Sequence, residues 1–244
     1  MMKKLLWVIT GAGYKMRAIF NTISRLKEEL GLKITTALTR AGHEVARLYG
    51  VLDKLRDLSP GRYYEEIFVD DPLRPISRLP GRVMMGSYDA IAIAPATANS
   101  VAKMVVGIAD TIATQVFSMG EKARTPIIIM PSDGSEIVEA EFPCFVDAEL
   151  CRACDECWPE KACPSKAIFR TDDGRAHIDL LVCRGCGDCA PLCPYEAISC
   201  WRKKLIRCRD IDLANVEELR KREGVFVVLD EQELYSVLRR LLMK

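Results

Sequence analysis

Apolar residues in the first 132 positions follow two alternating rhythms. Leu5–Thr10 is an almost unbroken apolar run, which predicts a strand buried on both faces. Lys15–Leu30 carries apolar residues at 16, 19, 20, 23, 26 and 30, the spacing of one helix face. A strand over Lys33–Thr39, a helix over Gly42–Tyr49 and a short strand or bridge over Glu66–Val69 follow. Tyr88–Ala94 reads as a strand stopped at Pro95, and Pro126–Met130 as one stopped at Pro131. Between them, Ala98–Val106 and Asp110–Met119 read as helices split near Gly107, while residues 71–86, rich in Pro and Arg, read as a loop. Continuous apolar strands alternating with helices predict an α/β domain with a parallel sheet covered on both sides. The tail predicts a strand at Leu205-Ile206 and a helix from about Asn215 to Arg222, capped by Asp212 or Asn215. A strand over Gly224–Leu229 and a helix over Gln232–Leu242 capped by Asp230 complete it. Those 44 residues are too few to bury their own apolar faces. Residues 201–244 are therefore expected to complete the domain begun by 1–142, with 143–200 inserted between them.

The inserted stretch has a different chemistry. Of 11 cysteines, none precedes Cys144, and ten lie between 151 and 208. Eight form two sets: Cys151-x2-Cys154-x2-Cys157-x5-Cys163-Pro164 and Cys183-x2-Cys186-x2-Cys189-x3-Cys193-Pro194. Three thiolates two residues apart wrap one loop around an iron–sulfur cubane. The fourth, held extended by the following proline, reaches away to the other cluster. The expected ligand sets are thus Cys151, Cys154, Cys157 and Cys193 for one 4Fe–4S cluster, and Cys183, Cys186, Cys189 and Cys163 for a second. Structural zinc needs only two cysteine pairs, so a third cysteine at the same spacing, twice, is surplus to it. Trp158–Ala162 lengthens the first set by two residues relative to the second. Cys163-Pro-Ser-Lys-Ala-Ile168 and Cys193-Pro-Tyr-Glu-Ala-Ile198 repeat one pattern, and a hairpin is expected between Ala167–Arg170 and Ala176–Asp179. Region 143–200 thereby resembles a bacterial-type two-cluster ferredoxin of α+β fold. Cys144, Cys200 and Cys208 are expected as small buried hydrophobes, and His177 as a structural or surface residue.

Charge narrows the partners. Thirty-five basic and 34 acidic side chains give a net charge of +1, which offers no field for nucleic acid or an anionic membrane. No apolar run approaches the ~20 residues of a membrane span. Lys3–Ile9 is too short for a secretion signal, and a cytoplasmic protein is expected. The inserted region alone has ten acidic against six basic side chains. Arg202, Lys203, Lys204 and Arg207 are expected as a solvated face or a local partner for that acidic region.

Ligands of a parallel sheet bind at the carboxyl ends of its strands. Thr10-Gly11-Ala12-Gly13 stands there before a helix, where exposed backbone N–H groups suit an anion. The dinucleotide fingerprint fails: Met16 replaces its third glycine, and Thr39-Arg40 stand where an acidic residue belongs. A mononucleotide phosphate with Thr39 as a donor fits better, and Arg40 leaves a 2′-phosphate open. The second segment is Pro95-Ala96-Thr97-Ala98-Asn99-Ser100, followed by Ala102-Lys103 and Gly107-Ile108-Ala109-Asp110. Its small residues let a flat ring approach the backbone, and its hydroxyl and amide groups lie at a helix start.

These residues resemble the Rossmann-like flavoprotein superfamily of cysteine decarboxylases and flavin prenyltransferases, over about residues 4–132. The resemblance implies FMN, held by Gly11, Ala12, Gly13 and Tyr14, by Thr39 and Arg40, and by Pro95–Ser100. It also implies a trimer or larger homo-oligomer with flavin near a subunit boundary. The decarboxylases carry a histidine before the Pro-Ala-Thr-Ala-Asn strand, yet 51–93 contains none. Pro131-Ser132-Asp133-Gly134-Ser135-Glu136 replaces their substrate motif. The flavin site is implied without the decarboxylation.

Flavin joined to two clusters turns single electrons into a hydride, which suits reduction of a C=N or C=C bond. The fused arrangement resembles an archaeal branch that reduces the C=N bond of dihydromethanopterin or a related dihydropterin. It implies a soluble electron donor, either a ferredoxin or a reduced deazaflavin-type system. Tyr14, Lys103, Asp133 and Glu136 are candidate proton donors by position, and no catalytic residue stands out. The alternative is a flavin/iron–sulfur electron-transfer module serving a partner protein.

Overall fold

In the computed structural model, residues 2–71 and 78–243 are described. The first domain alternates as β1 (Lys4–Ile9), α1 (Met16–Leu30), β2 (Lys33–Leu38), α2 (Arg40–Leu48), α3 (Leu55–Leu58) and β3 (Ile67–Val69). It continues with α4 (Arg78–Met84), β4 (Ala90–Ala96), α5 (Ala98–Val106), α6 (Ile112–Lys122) and β5 (Ile127–Pro131). After β5 come β6 (Ile137–Phe142), β7 (Phe145–Val146), α7 (Trp158–Ala162), β8 (Ile168–Arg170), β9 (Ala176–Ile178) and β10 (Ile198–Ser199). The chain closes with β11 (Arg202–Arg207), α8 (Asp210–Arg220), β12 (Val225–Val227) and α9 (Glu231–Leu242).

Six strands form one parallel sheet in the order β12-β5-β4-β1-β2-β3. The alternation along β1 explains its two covered faces. Leu5, Trp7 and Ile9 point into a core shared with α1 and α9, whereas Leu6 and Val8 point into the core of α5, α6 and α8. All five side chains are fully buried. From the tail, β12 pairs with β5 at the sheet edge, and Leu234 and Leu238 of α9 enter the same core as Ile19 and Ile23 of α1.

Two expectations need correction here. Residues 71–86 are not all loop: 78–84 form α4, whose Leu79 and Val83 are buried, while 72–77 lie outside the described residues. Pro80 falls in the first helical turn, where its missing N–H costs nothing. The helix expected from Asn215 begins at Asp210, and Asp212 does not cap it. Asp212 is buried and takes two hydrogen bonds from Arg209, both 2.7 Å. Asp230 does cap α9, accepting from the N–H groups of Gln232 and Glu233.

The cysteine-rich region leaves and rejoins the sheet along one antiparallel ladder. β6 pairs with β11 from Ile137↔Arg207 to Phe142↔Arg202, and β7 with β10 just beyond. Between these ladders Cys144 and Cys200 form a disulfide, so they are not the free apolar thiols expected. Cys208 is a buried free thiol. His177 lies exposed on β9, stacked on Phe169.

Candidate functional site: a crevice beside two thiol nests

Thr10, fully buried at the end of β1, joins the two loops that sequence reasoning singled out. Its hydroxyl donates to the Pro95 carbonyl at 2.8 Å and accepts from the Thr97 N–H at 2.8 Å. Thr97 then caps α5, accepting from the Ser100 N–H at 3.1 Å. The first loop has no room for side chains. A Cβ at Gly11 would stand 2.6 Å from the Ala41 Cβ, and one at Gly13 would run into the Tyr49 ring. The two loops face an open crevice of about 430 Å³.

Gly11, Ala12, Gly13, Tyr14, Thr97, Ala98 and Asn99 line this crevice. The other five expected flavin contacts do not. Thr39 caps α2, accepting from the Gly42 N–H at 3.0 Å, and Arg40 is exposed in that helix's first turn. Pro95 and Ala96 are buried in β4, and the Ser100 hydroxyl accepts from Thr97. Of the proton-donor candidates, Tyr14 and Asp133 line the crevice. Lys103 is paired with Asp110 at 2.6 Å, and Glu136 lies 4.0 Å from Arg207.

Sequence reasoning missed the roof. Val138, Ala140, Glu141, Phe142 and Ile206 of the β6–β11 ribbon cover the crevice, with Tyr49 at its side. The signal was the short alternation Val138-Glu139-Ala140 between polar loop residues, too brief to separate from loop. Two anchors hold the ribbon: Arg17 pairs with the Glu141 carboxylate at 3.0 Å, and the Tyr49 hydroxyl donates to the Glu141 carbonyl at 2.5 Å. Burial pushes the Tyr49 phenol above its ordinary pKa, with the Glu141 charge adding to it. Tyr14, also raised by burial, donates to the Leu229 carbonyl at 3.2 Å. Arg202, Lys203, Lys204 and Arg207 are exposed, the solvated face that was one of the two expectations; Lys203 and Arg207 lie against Glu139 and Glu136, not against the acidic region.

The eight spaced cysteines separate into two groups. Cys151, Cys154, Cys157 and Cys193 line one cavity. Cys163, Cys183, Cys186 and Cys189 line another. The fourth cysteine of each set thus crosses to the other nest. The repeat explains the crossing. Lys166 and Glu196 both take left-handed backbone (φ 52° and 53°), and each donates its N–H to the carbonyl of Cys163 or Cys193 three residues before, at 3.1 Å. The next residues, Ala167 and Ala197, are buried.

Backbone N–H groups point at three sulfurs: Ala176 at Cys151 (3.4 Å), Ala167 at Cys163 (3.3 Å) and Gly185 at Cys183 (3.4 Å). Such bonds stabilise negative charge on sulfur and tune a cluster's potential. Burial pushes the Cys189 thiol up to about 11. Burial alone would also raise Cys163, but hydrogen bonds from Ser165 and the Ala167 N–H bring it below the ordinary value. Eight thiols in two groups of four, with N–H donors at three of the sulfurs, fit iron–sulfur groups. The tighter trio of Cys144, Cys189 and Cys200 is a poor metal nest, since two of its sulfurs are bonded to each other.

A covered parallel sheet with a small-residue crevice at its strand ends, joined to paired thiol nests, defines a flavoprotein fused to a ferredoxin. The flavoprotein family matches residues 1–143, and the 4Fe–4S binding domain matches residues 176–199. The chain belongs to the flavoprotein family and carries a 4Fe–4S binding domain. It is 37% identical to a protein of Methanosarcina mazei over 93% of this chain and 95% of that one. It is 38% identical to one of Methanocaldococcus jannaschii over 95% of this chain and 94% of that one. Both relatives are named dihydromethanopterin reductase (acceptor). Among solved structures, Burkholderia xenovorans DmrB, described in complex with FMN as a cubic protein cage for redox transfer, shares the fold. Its TM-score is 0.61 at 23% identity, covering 99% of this chain and 96% of that one. The FMN-dependent cysteine decarboxylase SpaF shares it at a TM-score of 0.51 and 17% identity, covering 98% and 97%. Among the described residues, no helix is long and apolar enough to cross a membrane.

Proposed function

We propose that this chain takes single electrons from a soluble donor, a ferredoxin or a reduced deazaflavin-type system. It delivers them in pairs to the C=N bond of a dihydropterin, namely dihydromethanopterin or a close relative, giving the tetrahydro form. In this account 143–200 is a ferredoxin unit inserted into a flavin unit made of 1–142 and 201–244. Cys151, Cys154, Cys157 and Cys193 hold one 4Fe–4S cluster, and Cys163, Cys183, Cys186 and Cys189 the second. FMN is held by the Gly11–Tyr14 turn and the Thr97–Asn99 helix start, with Thr39, Arg40, Pro95, Ala96 and Ser100 shaping those loops. Bound there, the flavin supplies the conversion of two single electrons into one hydride, which clusters alone do not make.

The chain's own side chains do the rest. Val138, Phe142 and Ile206 lay apolar surface over the crevice, against which a flat ring can pack. Ser132 and Asp133 give one wall hydrogen-bonding groups for the polar edge of a pterin, with the Ser132 hydroxyl donating to Asp133 at 2.5 Å. The proton accompanying the hydride comes from water or from one of the two candidates on the crevice, Tyr14 and Asp133. Exposed Met84, Met85, Val106 and Ile108 offer apolar surface for a trimer or larger homo-oligomer.

The observation that carries this proposal is the crevice and two thiol nests in one chain, in the company of full-length relatives named for dihydromethanopterin reduction. The test is anaerobic turnover of dihydromethanopterin with a reduced viologen and no partner protein. Formation of the tetrahydro product is expected. Protein that retains flavin and iron but forms no product, while passing electrons to a partner, would instead be an electron-transfer module.

A further inference from the structure

The two thiol nests are not equivalent with respect to the crevice. Around the second nest, Arg47 of α2 donates to the Cys183 carbonyl at 3.1 Å and to the Leu180 carbonyl at 3.2 Å. Gly185, between Cys183 and Cys186, packs so closely on the Leu48 carbonyl that a Cβ would collide with it. The same added Cβ would stand 2.9 Å from the Trp201 indole, and one at Gly187 would stand 3.5 Å from the Trp201 Nε1. Trp201 in turn contacts Tyr49, with ring centroids 5.2 Å apart, and Arg17 covers the indole at 4.1 Å. Tyr49 reaches the crevice wall beside Gly13. Cys183–Gly187, Trp201, Tyr49 and Gly13 therefore form one packed line from nest to crevice.

Around the first nest, among the described residues, the bonds stay within the ferredoxin unit. Arg170 donates to the carbonyls of Cys154 and Asp155 at 3.2 Å, and the Ala176 N–H points at Cys151. Its rim carries exposed Trp158 (57%) and Tyr195 (49%).

We propose that the two nests have fixed and different duties. The first, Cys151/Cys154/Cys157/Cys193, receives electrons from the donor at the Trp158–Tyr195 face. The second, Cys163/Cys183/Cys186/Cys189, passes them to the crevice across the Trp201–Tyr49 contact. This order rests on the cofactors proposed above. Each step moves one electron. Two molecules of a one-electron protein donor are oxidised for each flavin reduced by two electrons, with protons from water. Tunnelling falls steeply with distance, so the nest packed on the crevice is the exit. Trp201 and Tyr49 are positioning residues: they hold the gap short and dry and are not themselves oxidised.

The test uses the full chain loaded with flavin and iron, mixed rapidly and anaerobically with a reduced ferredoxin too large to enter the crevice. Cluster bleaching and flavin bleaching are followed separately. Trp201→Leu is expected to leave cluster bleaching unchanged and to slow flavin bleaching severalfold. Trp201→Phe, which keeps a ring, restores the rate. Trp158→Ala is expected to slow cluster bleaching and leave the internal step alone. Flavin bleaching at the parental rate in Trp201→Leu, with iron and flavin retained, overturns the route. Should Trp201→Leu fail to load, Tyr49→Leu takes its place with the same two outcomes. Parental protein that binds neither flavin nor iron overturns the cofactor proposal instead, so the two failures are distinct.

Discussion

Gly13 and Gly42 look alike in the sequence but do different work. At Gly13 an added methyl group meets the Tyr49 ring on the crevice wall, and at Gly42 it meets the Ile9 carbonyl within the sheet. Overpacking of this kind costs about 1–3 kcal/mol. Gly13→Ala is expected to weaken flavin binding about tenfold or more, read by quenching of flavin fluorescence. Gly42→Ala is expected to lower the melting temperature, read by circular dichroism. Equal flavin binding in Gly13→Ala and the parent would contradict the placement of the ring beside that turn. Gly11 and Gly13 were legible as a tight turn, because glycines directly after an apolar strand and before a helix let the backbone bend closely there. Tyr49 was not, because its partners Glu141 and Trp201 lie 92 and 152 positions away in the chain. Thr10 was passed over for a related reason: its role comes from Pro95 and Thr97, which only the β1–β4 pairing brings close.

At the level of elements, local rhythm and spacing were the informative signals. The α1 stripe, the Asp230 cap and the β8–β9 hairpin all depend on residues within a few positions of one another. The β6–β11 ribbon depends on pairing across 64 residues, as between Glu139 and Lys203: Leu205-Ile206 read as a strand, but its partner β6 has too little alternation to be seen alone. The Cys144–Cys200 disulfide, across the ends of the β7–β10 ladder, escaped notice for the same reason. Helix α4 was hidden by Pro80-Gly81, residues that usually mark a loop. The crossing of the fourth cysteines belongs to this scale and is testable by coupling. Cys151→Ser and Cys193→Ser act on one nest, so the double variant should lose no more iron than either single variant. Cys183→Ser with Cys193→Ser acts on both nests and should lose iron additively. Additive loss in the first pair, by iron assay and EPR, would contradict the crossing.

Across the whole molecule, the parallel sheet supplies a rigid floor and the ribbon a roof, and the chain enters and leaves the cysteine region through that roof. The crevice and the second nest are therefore bridged by packed side chains, Tyr49 on the crevice wall and Trp201 between it and Gly185, and are not joined by a loose linker. The alternating rhythm showed the sheet in advance. The docking of nest on crevice was not visible, because it uses single residues from four separate segments. The most direct test of the central claim, a flavin wired to two clusters in one chain, is an anaerobic reductive titration with flavin and iron counted on the same sample. About one flavin and eight irons per chain, all reducible by a one-electron donor, is the expected result. Zinc in the thiol nests, or a crevice that retains no flavin, would contradict it.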